Sequence, residues 1–351
     1  MKKKKKKNGK LKTGGVVFFL LFLGAAYLFY NYYGKIFQTN TQVSANDPYL
    51  YVKSGSTMSD LVEQMLLQKV LLDKTSFIWV AGQKSFAAPK AGKYKLTDGM
   101  NNNELVNLLR SGEQEAVRVT FNTVRTPQDL AGKIGKQLEA DSLEILEMLE
   151  NREVAKKYGF DQKTLMTLFI PNTYEIYWNT SAENFVKRMA REYKVFWTEA
   201  RKSKAKVLNL TQSEVSILAS VVQAEQSQRR DERPKVAGLY INRIKKKMKL
   251  QSDPTIIYAI GDFSIKRVLN KQMKIDSPYN TYLYAGLPPG PINLPEISSI
   301  DAVLNYEKHN YIYMCAKADF SGYHNFARSF SQHSVYARAY RNELNRRKIM
   351  K

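Results

Sequence analysis

The chain has 351 residues, about two domains' worth, with 44% hydrophobic residues and a net charge of +23 at pH 7. Lysines at 2–7, 10 and 12 supply eight of those charges and leave +15 on the rest, which points to an anionic neighbour (membrane surface, nucleic acid or acidic polymer) or simply to solubility beside lipid. The single cysteine, Cys315, excludes an internal disulfide, and His309, His324 and His333 form no pair or Cys/His cluster with metal-ligand spacing, so no metal or cofactor is expected.

After the lysine-rich residues 1–13, an uncharged apolar run at 14–33 predicts a transmembrane helix. Tyr27, Phe29, Tyr30, Tyr32 and Tyr33 fit an interfacial aromatic belt, and the preceding lysines predict a cytoplasmic N-terminus with the rest of the chain outside. A cleaved signal peptide is the rival reading, but Val43-Ser44-Ala45 lies too far beyond the apolar run. Residues 34–48 read as a polar linker. Residues 49–121 read as a small α+β module: a strand at 49–52, a helix capped by Ser56 or Thr57, a helix at 73–81, a strand at 92–96, a short helix at 102–109 and a strand at 117–121.

Residues 122–351 read as mainly helical with a few strands. Pro127 opens one helix, residues 142–157 give another, and Ser181 caps an amphipathic third. Thr211 and Glu214 have capping-box spacing. In the helix they start, Leu218, Val221 and Val222 lie seven, four and three positions before Glu225 and share its face. Gln226-Ser227-Gln228 ends the pattern, so Glu225 sits near the helix C-terminus. Loss of solvation and the negative end of the helix dipole both favour its protonated form, which is what a general acid needs near neutral pH. The competing reading is a buried glutamate paired with an arginine or lysine. A helix at 231–246 follows, with Glu232 as a dipole or capping residue and Arg233 as its possible partner. Asp253-Pro254 resembles a cap with a first-turn proline, and Gly261 a stop. Beyond Tyr279 the chain becomes Pro-rich. Strands are predicted at 310–316 and 323–326, with Cys315 as a core thiol, and a last helix starts near Ser331.

Several stretches together carry a resemblance. They are Phe169-Ile170-Pro171-Asn172-Thr173-Tyr174, Ala219-Ser220-Val221-Val222-Gln223-Ala224-Glu225, Glu232-Arg233-Pro234-Lys235-Val236-Ala237, Leu250-Gln251-Ser252-Asp253-Pro254-Thr255, Tyr279-Asn280-Thr281-Tyr282, Gly286-Leu287-Pro288-Pro289-Gly290-Pro291 and His324-Asn325-Phe326. In order and spacing, over about residues 45–345, the chain resembles the endolytic murein transglycosylase family (MltG, also called YceG-like). The resemblance implies one membrane anchor in the cytoplasmic membrane, a LysM-like module at 49–121 and a catalytic domain at 122–351. It also implies cleavage of peptidoglycan glycan strands between N-acetylmuramic acid and N-acetylglucosamine to leave 1,6-anhydro ends, near the cell-wall synthesis proteins. Many members carry Glu-x-Glu where this chain has Gln223-Ala224-Glu225, so the acid role falls to Glu225; helical phasing puts Gln223 on a different face. Asn172 stands where an aspartate is common, and a turn role suits it.

With Glu225 as the single catalytic acid and base, Gln251, Asn280, His324, Tyr279 and Asp253 are the substrate-binding candidates. The neutral polar side chains suit hydrogen bonds to sugars, Tyr279 and Tyr282 suit stacking or burial, and Asp253 suits orienting a group or capping its helix. A non-catalytic wall-binding scaffold remains the alternative. Nucleic-acid binding is prompted only by charge and lacks an aromatic-basic signature.

Overall fold

The computed structural model describes residues 10–347, so the lysine run at 2–7 and the last four residues lie outside it. The chain divides into two compact units: residues 1–117 with 175–179, and residues 118–174 with 180–351.

The first unit begins with helix α1 (Lys10–Phe37). Its stretch Gly15–Phe37 is long and apolar enough to cross a membrane, and none of it is buried in the protein. The helix runs several residues past the predicted end. Within the stretch expected as linker, Asn40 and Thr41 are buried. Asn40 donates to Asp73 O (2.8 Å) and Asn102 Oδ1 (2.7 Å). Asn102 in turn donates to Lys35 O at 2.8 Å, which ties the end of α1 to the module.

The module then follows the order β1 (Tyr49–Val52), α2 (Met58–Leu67), α3 (Lys74–Gln83), β2 (Gly92–Lys95) and α4 (Asn102–Ser111). The two strands pair antiparallel, Leu50 opposite Tyr94. Thr57 and Asn101 close capping boxes with Asp60 and Glu104, so α2 and α4 start where their hydroxyl or amide can take up orphan amides. Leu50, Val52, Leu61, Met65, Phe77, Tyr94 and Leu105 form the core.

Strand β3 (Ala116–Phe121) leads into the second unit with α5 (Pro127–Gly135), α6 (Ser142–Glu150) and α7 (Arg152–Lys157). The single helix expected at 142–157 is two. Asn151 adopts an extended conformation, and its side chain accepts from Glu153 N and Val154 N to start α7 afresh. Strand β4 (Asn172–Tyr177) pairs with β3; Asn172 is exposed at its start and accepts from Thr173 N at 2.8 Å, a local role. Then come α8 (Ala182–Phe196), α9 (Glu199–Val207), α10 (Gln212–Glu225), α11 (Arg233–Lys245), α12 (Asp253–Ile260), α13 (Ile297–Leu304), the antiparallel pair β5 (Tyr313–Ala316) and β6 (His324–Ala327), and α14 (Phe330–Arg346).

Helix α10 is the centre of this unit. Thr211 caps it through the expected box with Glu214. Every residue from Val215 to Val222 is buried, so the helix is covered all round rather than on one stripe. It packs against α11, α12 and α13, with Val236, Leu239, Ile300 and Val303 among the buried partners. Deleting one such side chain, as in Leu218→Ala, costs about 2–5 kcal/mol.

Candidate active site

Helix α10 ends at Glu225, on the wall of a cavity of about 240 Å³. Leu239, Tyr240 and Arg243 of α11, Leu250, Gln251 and Asp253, Tyr282, Met314 to Ala316 of β5 and His324 of β6 complete the lining. The helix end is pinned from behind. Arg233 is fully buried and donates to Gln226 O at 3.0 Å, the first carbonyl beyond α10. The same guanidinium bonds Glu296 and Ser299 at the start of α13. Arg233 therefore partners Glu296, not Glu232 as the sequence suggested.

Two hydroxyls donate to one oxygen of Glu225: Tyr240 at 2.9 Å and Ser252 at 2.5 Å, both to Oε1. Neither bond falls on Oε2. Burial pushes the Glu225 pKa up; the hydrogen bonds from Ser252 and Tyr240 oppose it, and the Asp253 charge adds to it. The net direction is upward, as the sequence implied. Among the described residues no ion pair involves Glu225, so the arginine- or lysine-paired reading fails. Arg243 lines the cavity but spends its donors on Ile312 O, Lys249 O, Leu250 O and Gln251 Oε1.

Asp253 is not the cap of its helix. Ser252 holds that position and Asp253 is the first helical residue. Its carboxylate faces the cavity and accepts from Tyr282 Oη at 2.5 Å. Gln251 lies exposed at the cavity edge, in a left-handed conformation (φ 53°), with Oε1 held by Arg243. Of the candidates, Glu225, Asp253, Gln251 and His324 are thus brought together, with Tyr282.

Asn280 and Tyr279 are not part of this cavity. Asn280 is fully buried; its amide donates to Met273 O and Ile275 O and its carbonyl accepts from Tyr282 N. It holds the backbone that presents Tyr282. Tyr279 packs its ring on Tyr258 at 4.8 Å. A Cβ on Gly290 would stand 2.4 Å from Lys163 O and 2.7 Å from Tyr279 Oη, so the Pro-rich loop needs glycine there to approach this closely.

Glu232 is no simple helix-dipole residue. It is buried, accepts from His324 N at 2.9 Å and faces His324 Nδ1 at 2.7 Å. Gln226 Nε2 donates to it as well, at 2.5 Å. Burial alone would raise its pKa; the hydrogen bonds from His324 and Gln226 overcome that and hold it below the ordinary carboxylate range. A carboxylate on Nδ1 places the imidazole proton there, so a neutral ring offers Nε2 as an acceptor. Residues 92 positions apart make this contact, and no spacing in the sequence signals it. Cys315 is likewise on the cavity wall rather than in the core, and burial raises its pKa. Among the described residues no acidic, histidine and cysteine group is arranged to hold a metal.

The YceG-like family model matches residues 50–339. The chain belongs to the YceG-like family. An endolytic murein transglycosylase of Bacillus subtilis is 29% identical to this YceG-like chain across 93% of it and 92% of that protein. One from Streptococcus pneumoniae R6 is 29% identical over 86% of the chain but only 60% of that longer protein. A crystal structure of a YceG-like protein from Listeria monocytogenes superimposes with a TM-score of 0.55 at 24% identity, over 82% of this chain and 98% of that one, which supports the fold.

Proposed function

We propose that this chain is a membrane-anchored endolytic murein transglycosylase, a lyase acting on peptidoglycan, with Glu225 as its acid and base. The observation that carries this is a carboxyl held above its ordinary pKa in a polar cavity, with both neighbouring hydroxyls on one oxygen. Glu225 Oε2 gives its proton to the glycosidic oxygen between N-acetylmuramic acid and N-acetylglucosamine. The bond to C1 breaks, and positive charge grows at C1 facing the Asp253 carboxylate. Glu225, now ionised, takes the proton of the muramic C6 hydroxyl as O6 closes onto C1. A 1,6-anhydro end results, no water is consumed, and Glu225 is protonated again. Tyr240 and Ser252 stabilise the transient carboxylate, while His324, oriented by Glu232, and Gln251 offer hydrogen bonds to the sugars.

On this reading the N-terminus lies in the cytoplasm and everything beyond the apolar helix lies outside, at the cytoplasmic membrane; the lysine run that precedes the helix supports it. The strand-helix-helix-strand module is read as LysM-like, holding glycan strands near the cell-wall synthesis proteins; no nucleic-acid partner is assigned. A second reading is favoured by one observation: Asp253 supplies a second carboxylate in the cavity, and paired carboxylates hydrolyse glycosides. Incubating the full chain with purified peptidoglycan and analysing products by mass spectrometry separates the two. Anhydro-muramic ends support the lyase, hydrated reducing ends the hydrolase, and intact glycan with retained wall binding a scaffold.

A further inference from the structure

A second cavity of about 320 Å³ adjoins the turn that carries Glu225. Neighbouring residues divide between the two hollows: Glu225 and Asp253 line the first, Ala224 and Pro254 the second. Its walls are mixed in the way a sugar requires. Tyr258, Phe263 and Ile292 are apolar, while Gln223, Asn293 and Arg125 are polar.

The walls are also fixed in place. Ser220 of α10 accepts from Ile292 N, Asn293 donates to Ser220 O at 2.8 Å, and Gln223 Oε1 accepts from Glu296 N at 2.7 Å. Leu294 N donates to Val124 O at 2.8 Å, which ties the loop bearing Arg125 to the same frame. In that loop Thr123, a β-branched residue, is held at φ +49°, a strained conformation of the kind found at binding sites. Arg125 lays its guanidinium over the Phe263 ring at 4.7 Å. Among the described residues it forms no ion pair. A flat, uncommitted guanidinium beside a sugar-sized hollow is suited to a carboxylate.

We infer that this second cavity binds a muramic residue of the strand on one side of the cut, with Arg125 taking a carboxylate of the peptide stem that the muramic residue carries. The inference rests on the reading of Glu225 above and adds substrate selection to it: strands bearing stems bind better than strands stripped of them. An endolytic enzyme holds glycan on both sides of the scissile bond, and the second hollow starts at Ala224 and Ser227, which flank Glu225 in the chain.

The test is binding without turnover. The full chain carrying Glu225→Gln is titrated with soluble glycan strands, either stem-bearing or stripped by an amidase, with the lactyl carboxylate that the amidase frees converted to an amide. Stem-bearing strands bind more tightly, and adding Arg125→Ala lowers the ratio of the two affinities about tenfold, while Arg125→Lys restores part of it. Equal affinities without the Arg125 change, or a ratio that Arg125→Ala leaves unmoved, overturns the inference. Anhydro ends from the unaltered chain are scored separately, so failure of the second cavity and failure of the Glu225 reading give different results.

Discussion

Glu225 and Glu232 lie seven residues apart, both withdrawn from water, yet their environments drive them in opposite directions. Glu225 receives two hydroxyl bonds on one oxygen and faces a second carboxylate, and burial prevails. Glu232 receives bonds from His324 N, His324 Nδ1 and Gln226, distributed over both oxygens, and those bonds prevail. Burial alone therefore does not make a general acid. The number and placement of donors around the carboxyl decide whether it keeps a proton for chemistry or a charge for orienting a neighbour.

The largest effect that tests this contrast is Glu225→Gln. The carboxamide still accepts from Tyr240 and Ser252 but holds no transferable proton, so formation of anhydro ends falls by about 10²–10⁴-fold. Its effect on stability runs the other way. Because folding raises the Glu225 pKa, the unfolded chain loses that proton first, and the group destabilises the fold as pH rises from 4.5 upward. Thermal melts of the Glu225→Gln chain should thus gain on the unaltered protein as pH increases; a constant difference would contradict the raised pKa.

Glu232→Gln should behave as the mirror image. It leaves His324 without its anionic acceptor at a cost of about 1–3 kcal/mol. The stability Glu232 provides is present above 4.5 and is lost as pH falls through its lowered pKa, so the deficit of the variant shrinks in acid. A deficit that is constant with pH would mean that Glu232 is not held ionised.

Smaller effects sharpen the description of the Glu225 surroundings. Tyr240→Phe removes one donor worth roughly 0.5–1.5 kcal/mol. The rate should fall by about tenfold or less, and the alkaline limb of the pH profile should move upward. Asp253→Asn removes a like charge and should move that limb downward. Shifts of the same sign in both variants would break the assignment of opposing causes.

Much of this site was legible in the sequence because its signals are local. Thr211 and Glu214 start α10, its apolar residues bury it from Val215 to Val222, and the polar residues after Glu225 stop it. Less local features were hidden. Helix α9 buries only Ala205, so it shows no apolar stripe to read. Asn280 looked like a sugar ligand because its amide is polar, but three backbone groups occupy it. Asp253 looked like a cap because it precedes proline, whereas its neighbour Ser252 holds that place and Asp253 turns to Tyr282. The contact of Glu232 with His324 depends on how β6 returns to the start of α11, and Arg233 with Glu296 on how α13 docks there.

The most direct test of the central claim is infrared difference spectroscopy of the unaltered chain against Glu225→Gln across pH. The account predicts a protonated-carboxyl band, absent from the variant, that persists well above the ordinary glutamate value of 4.5. A band that disappears at or below that value would show Glu225 ionised in the resting protein and would remove it as the general acid.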